Sequence, residues 1–283
     1  MNKRHIEVSV ISDLHLATHA CKPKKILNYL KSIHTEILVL NGDIIDSWRF
    51  TRNYFPKNQM KVVRQIIKMM EKGTQVFWVS GNHDEFLRKF AGAKFGKLEI
   101  VNQYIVTHGD KKTWIFHGDI FDHIIHSSKG LAKIGAALYG LLTIVEQLLN
   151  SLVRIVGGKE VIIYKTLKKN LIREKRTPSK FERELARSAA TQNYDEVICG
   201  HTHAPKDKML TDNDREIRYI NCGDWVEHCT AAEFYNGKWH LHTHVDPENS
   251  FDNVVDESEF PAERSIYETL VQELTFKNLS IQP

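Results

Sequence analysis

The chain has 283 residues, 42% hydrophobic, 10% aromatic and 26% charged, with a formal net charge of +4. This is the composition of a globular protein able to bury a core, and it excludes disordered and collagen-like chains. So slight a charge gives no reason to expect a nucleic-acid partner, and none is expected.

The residues Met1-Asn2-Lys3-Arg4-His5 pass straight into an apolar run without a signal region, so the expected location is the cytosol. Five short runs rich in Val and Ile (6–11, 37–40, 76–79, 114–116 and 197–199) are predicted as strands buried on both faces. Two helices are predicted between the first three strands. The first starts near Pro23 and carries Ile26, Leu27, Leu30 and Ile33 on one side. The second has Asn58 as N-cap, shows Val62, Val63, Ile66, Ile67 and Met70, and stops at Gly73.

Residues 127–171 have a different character. Positions 134–145 carry no charge, but Glu146 and Arg154 break the run before it reaches the roughly 20 apolar residues of a bilayer span. A helical insertion is expected, not a transmembrane segment. Between 159 and 187 lie ten Lys or Arg against four Glu, a bias that suits an anionic membrane surface or a solvated face. Ser179-x-x-Glu182 is a capping box opening a surface helix with Phe181 and Leu185 on one side.

Strands follow at 218–221, 231–235 and 238–242, the last two joined by Asn236-Gly237, a hairpin turn that needs positive φ twice. They predict a second, more antiparallel sheet packed on the first. The domain organisation expected is one domain from 1–126 and 172–245, the insertion 127–171 within it, and a polar acidic tail over 246–283. Cys21, Cys199, Cys222 and Cys229 lack zinc-site spacing and are expected as buried or partly buried free thiols.

Each predicted buried strand ends in a polar motif: Asp13-x-His15, Gly42-Asp43, Gly81-Asn82-His83-Asp84, His117-Gly118-Asp119 and Gly200-His201-x-His203. In α/β sheets, ligands gather beyond the carboxyl ends of strands, so these motifs are expected to converge. Together they can hold two divalent ions. Asp43 would bridge; Asp13, His15 and His203 would complete one site, and Asn82, His117 and His201 the other. Oxygen and imidazole donors without cysteine suit manganese, iron or zinc.

Two such ions bring more positive charge than Asp13, Asp43 and a bridging hydroxide cancel, and the excess attracts anionic phosphate. They also lower the pKa of bound water, to roughly 7 in zinc enzymes, so a hydroxide nucleophile is available near neutral pH. The chemistry expected is hydrolysis of a phosphate ester or anhydride. His83 is read as a general acid and not a ligand, with Asp84 accepting a hydrogen bond from its other ring nitrogen.

This ordered set of motifs resembles the calcineurin-like metallophosphoesterase superfamily over about residues 6–245. The resemblance implies a four-layer α/β/β/α sandwich, an α/β fold with the dimetal site at its sheet edges, and the same ligand assignment, with His83 at the proton-donating position. Residues 11–16, 42–48, 117–119 and 223–225, with the apolar insertion, resemble the UDP-2,3-diacylglucosamine pyrophosphohydrolase branch. That branch implies cleavage of a lipid-linked nucleotide sugar to UMP and a lipid phosphate in lipid A synthesis, manganese dependence, and peripheral contact with the cytoplasmic face of the inner membrane. Residues 127–171 would then cover the acyl chains, and Trp48, Arg49 and Arg52 are candidate substrate contacts. Enzymes of that branch typically carry Arg where this chain has His83, a departure that suits poorer leaving groups. The alternatives are a soluble phosphodiesterase or phosphoprotein phosphatase of the same fold, and a non-catalytic scaffold.

Overall fold

The structure, a computed structural model, describes residues 3–47, 55–122 and 178–245. The N-terminal part runs β1 (Arg4–Ile11), α1 (Pro23–Ser32), β2 (Ile33–Asn41), α2 (Lys57–Glu71) and β3 (Gln75–Val79). A 3-10 segment (Glu85–Phe90) leads to β4 (Lys94–Phe95), β5 (Leu98–Val101), β6 (Tyr104–His108), β7 (Lys111–Ile115) and a second 3-10 segment (Asp119–Phe121). From residue 178 onward come α3 (Lys180–Thr191), β8 (Glu196–Cys199), β9 (Lys206–Asp212), β10 (Arg215–Asn221), β11 (Thr230–Tyr235) and β12 (Lys238–Thr243).

The strands form two mixed sheets, one ordered β12-β11-β1-β2-β3-β5-β4 and the other β6-β7-β8-β10-β9. Within the first, β1, β2, β3 and β5 are parallel, and β11 runs antiparallel to β1. Within the second, β7, β8 and β10 are parallel.

Three apolar clusters account for four layers. Val8, Val10, Val39 and Val79 of the first sheet meet Ile115, Ile198 and Ile220 of the second, forming the core between sheets. The outer face of the first sheet packs on α1 and α2 through Ile26, Leu30, Val62 and Ile66. The outer face of the second packs on α3 through Leu185, Ala186 and Ala189. Strands buried on both faces read as continuous apolar runs, which is why their cores were visible without alternation. Helices flanking a pair of mixed sheets give the expected α/β sandwich.

Several local expectations are corrected. Ile33 opens β2 and does not extend α1, whose buried face is Ile26, Tyr29 and Leu30. Asn58 lies inside the first turn of α2, capped instead by Pro56 without a side-chain bond. The β11–β12 hairpin turns at Asn236 and Gly237 with φ of 53° and 72°, as expected, but extends the first sheet beside β1. Conversely β7 and β8 belong to the second sheet, so the motifs converge across two sheet edges. The capping box of α3 forms, Glu182 N donating to Ser179 Oγ at 3.1 Å and Ser179 N to Glu182 Oε2 at 2.7 Å. All four cysteines are free and buried.

Among the described residues no helix is long and apolar enough to cross a membrane. The insertion 127–171, the tail 246–283, and Trp48, Arg49 and Arg52 lie outside the described residues.

Candidate metal centre

The motif loops sit beyond the ends of β1, β2, β3, β7 and β8 and are laced together by backbone hydrogen bonds. Asp13 N donates to Gly42 O at 3.1 Å, His15 N to Asp43 O at 3.0 Å, and Gly200 N to His117 O at 3.0 Å. Five motif residues take left-handed backbone conformations: Asp13 at φ 55°, His15 at 47°, Asp43 at 53°, His201 at 62° and His203 at 54°. Such geometry costs on the order of 1–3 kcal/mol per non-glycine residue and persists where the surroundings enforce it, commonly at functional sites. Gly200 is required for close approach, because a Cβ there would fall on the Ser12 hydroxyl and the Asp13 carboxylate.

These loops bring together three groups whose ligand atoms lie within 4.8 Å of one another: Asp13 with His15 and His203, His15 with Asp43 and His83, and Asp43 with His117 and His201. Nε2 of His15 faces Nε2 of His203 at 3.3 Å, and the latter lies 3.1 Å from Asp13 Oδ1. Asp43 Oδ1 accepts the His83 backbone N–H at 2.8 Å, which leaves Oδ2 near His117 Nε2 at 3.4 Å and His83 Nε2 at 3.8 Å. One oxygen of Asp43 is thus shared between groups while the other anchors the loop. Asp13 and Asp43 are almost wholly buried.

Among the described residues, buried Asn82 Oδ1, His117 Nε2 and His201 Nδ1 have no hydrogen-bond partner. The other ring nitrogens of the two histidines are occupied. His117 Nδ1 meets Asn41 O at 2.9 Å, and His201 Nε2 meets Asp122 Oδ2 at 2.8 Å. Leaving buried polar atoms unpaired costs about 1–3 kcal/mol each, so their convergence fits a divalent cation pair.

The electrostatics follow from burial and proximity. Burial alone would push the Asp43 carboxyl up, but His117, His15 and His83 hold it well below the usual range. Burial pulls His15 down to about 4, further lowered by His203 and opposed by Asp43 and Asp13. His203 goes the other way, to about 10, because Asp13 and Asp224 outweigh its burial. The carboxylates beside His203 favour its protonated form and burial favours neutral His15, whereas a cation is bound only by deprotonated rings.

Asp13, His15, Asp43, Asn82, His83, His117, His201 and His203 all stand at this end of the sandwich. Asp84 does too, but not as the partner of the His83 ring. Its carboxylate accepts from Gly81 N at 2.6 Å, Ile44 N at 3.0 Å and Trp78 Nε1 at 3.1 Å, which fixes the loop. His83 Nδ1 instead lies 3.2 Å from Asp46 Oδ2. The 223–225 motif contains Asp224 without giving it a role in the site; its Oδ2 is 3.4 Å from His203 Nδ1 and 2.9 Å from His228 Nδ1. Gly223-Asp224 lies one residue past the end of β10, and Gly42-Asp43 directly past β2, so the shared Gly-Asp beyond a strand was the signal for a role in the site.

A four-layer sandwich with a dinuclear Asp/His cluster where its two sheets end defines a metal-dependent phosphohydrolase. A family model, that of the calcineurin-like phosphoesterases, matches residues 6–205, and the chain belongs to that family. It is 25% identical over 229 residues to a UDP-2,3-diacylglucosamine hydrolase of Chromohalobacter salexigens, covering 76% of this chain and 87% of the relative. A protein of the same name from Cellvibrio japonicus is 25% identical over 237 residues, covering 76% and 89%. Among solved structures, a dimetal phosphatase from Danio rerio aligns at 11% identity with a TM-score of 0.40, covering 83% of this chain and 95% of that one.

Proposed function

We propose that the chain hydrolyses a phosphoanhydride or phosphodiester carrying an organic group on each side, with a nucleotide-linked acylated sugar of the UDP-2,3-diacylglucosamine type as substrate. The observation that carries the hydrolytic reading is the convergence of Nε2 of His15 and His203, 3.3 Å apart, on the Asp13 carboxylate, with Asp43 shared toward His117. Two like lone pairs face each other at that distance only when a proton or a cation lies between them. The choice of substrate is supported by the names of the relatives.

In this reading Asp13, His15, Asp43 and His203 hold one ion, and Asp43, Asn82, His117 and His201 hold the other, with manganese expected and iron or zinc compatible with the donors. Bound there, divalent ions supply positive charge for the phosphate oxygens and acidify water toward neutral pH. Ser47 N donates to the His83 carbonyl at 3.1 Å and Asp46 holds the ring through Nδ1, so Nε2 is presented to the centre. Burial would lower the His83 pKa, but Asp46 and Asp43 raise it above the usual imidazole value. Both carboxylates favour the protonated form of the ring, which can give its Nε2 proton to a departing oxygen. Trp48, Arg49 and Arg52 would touch the substrate, the 127–171 insertion would cover acyl chains, and the basic run would rest on an anionic membrane at its cytoplasmic face.

The His83–Asp46 pair favours a second reading, a soluble phosphodiesterase or phosphoprotein phosphatase, because an alkoxide leaving group needs a proton far more than UMP does. The two readings separate when UMP release from UDP-2,3-diacylglucosamine and p-nitrophenol release from bis-p-nitrophenyl phosphate are measured with manganese in parallel. Release of UMP at much higher kcat/KM supports the first, and turnover of the diester alone supports the second. No turnover of either with manganese, iron or zinc would remove the pyrophosphatase and phosphodiesterase readings.

A further inference from the structure

Beside the metal centre, on the His117 side, lies a cavity of about 340 Å³ that the chemistry above does not use. Its volume falls within the roughly 300–1,000 Å³ of small-molecule sites. Trp114 and Phe116, stacked with ring centroids 3.9 Å apart, line its apolar part. Ser80, at the end of β3, also lines it. Ser80 is 4% exposed, and its hydroxyl finds no hydrogen-bond partner among the described residues. Asn102 and Gln103 add two amides, and the Gln103 oxygen already accepts from Trp114 Nε1 at 2.8 Å, which leaves its NH2 as donor. The remaining charges, Arg88 and Asp119, are paired with each other.

We infer that this cavity receives a neutral, hydrogen-bonding ring carried by the phosphate ester, whether nucleobase or sugar, and that Ser80 and Asn102 determine specificity for it. The inference rests on the phosphoesterase reading and extends it to substrate recognition. An acyl chain does not suit the cavity, since it would strip water from Asn102 and Gln103 without replacing their hydrogen bonds and would leave the Ser80 hydroxyl unpaired. A second phosphate does not suit it either, because the one cation there is already neutralised by Asp119. A ring with donors and acceptors on its edge and an apolar face satisfies both parts of the lining. His117 also borders the cavity, so a ligand there lies beside a residue of the metal centre.

Binding of three ligands to the manganese-loaded full chain tests this by calorimetry: inorganic phosphate, UMP, and N-acetylglucosamine 1-phosphate. One of the two ring-bearing ligands is expected to bind at least tenfold more tightly than inorganic phosphate, and which one does identifies the ring. Ser80→Ala and Asn102→Ala should each weaken that ligand about three- to tenfold, the loss of one net hydrogen bond, and leave inorganic phosphate unchanged. Asn102 is exposed, so its variant keeps the test sound if the buried site tolerates no change. Ser80→Ala should also hold or raise Tm, because it deletes an unpaired buried hydroxyl. Ring-bearing ligands no tighter than phosphate, or equal losses for all three, would overturn the inference while leaving the phosphoesterase reading intact. Failure of inorganic phosphate itself to bind would count against that reading instead.

Discussion

Two buried polar clusters in this molecule look alike in composition and differ in how they are finished. Beside β1, Glu233 accepts from Arg4 at 2.6 and 2.9 Å and from the Tyr29 hydroxyl at 3.0 Å, and Tyr29 in turn meets Ser9 Oγ at 2.8 Å. Both oxygens of that carboxylate are engaged. Beyond the carboxyl ends of the strands, Asn82 Oδ1, His117 Nε2 and His201 Nδ1 remain open at buried positions among the described residues. A cluster that serves the fold closes on itself, because every unpaired atom costs stability. A cluster that serves a ligand keeps the openings and holds them with strained backbone.

The sharpest way to break this comparison is to alter one carboxylate in each cluster. Asp43→Asn should abolish the rise in Tm on adding manganese and reduce turnover by well beyond the roughly 10–100-fold typical of outer partners. Near-normal turnover at saturating manganese would show that Asp43 is not shared. Glu233→Ala should do the reverse. It should cost about 2–4 kcal/mol in denaturant unfolding by stranding Tyr29 and Arg4, and leave turnover per folded molecule unchanged.

Asp46 tests the edge of the open cluster. Asp46→Asn should lower turnover about 10–100-fold on aryl phosphodiesters with poor leaving groups and much less on good ones, mirroring His83→Ala. Equal losses across a graded series would show that His83 does not deliver a proton.

The smallest effect belongs to Glu182, a closed contact on the far face. Burial would raise its carboxyl pKa, but the Ser179 N–H, Lys208 and Lys206 bring it below its ordinary value of 4.5. A depressed folded-state pKa contributes stability above the unfolded value and loses it as pH falls through the folded one. Glu182→Gln should therefore cost about 0.5–1 kcal/mol near pH 7, limited by solvent screening of the two lysines, and the difference should vanish in acid. A Tm difference that persists at low pH would assign the effect to packing.

Much of the centre was legible because metal donors are chemically uncommon at strand ends, so Asp13, Asp43, His117 and the His201-x-His203 pair stood out from apolar neighbours. The allotment of strands to sheets was not. Periodicity reports whether a strand is buried, not which sheet buries it, and β7, β8, β11 and β12 were grouped wrongly for that reason. The strands β4, β6 and β9 carry exposed positions along their length, and β5 is only four residues long with Glu99 inside it, so none gave a sustained apolar run to detect. Asp46 and Asp84 are both carboxylates near His83 in the motif loops. Only the folded turn decides that one reaches the ring and the other the backbone amides of Gly81 and Ile44.

Asn41 stands where β2 of the first sheet meets β7 of the second. Its Nδ2 donates to Phe116 O at 3.0 Å, and its carbonyl receives His117 Nδ1 at 2.9 Å and the Ser12 hydroxyl at 2.8 Å. A single amide side chain and its own carbonyl thereby stitch the seam between layers directly beneath the ligand loops. The gap between the sheets at that rim is consequently held by the protein's own hydrogen bonds, and drift of either sheet during evolution would have to carry the other along.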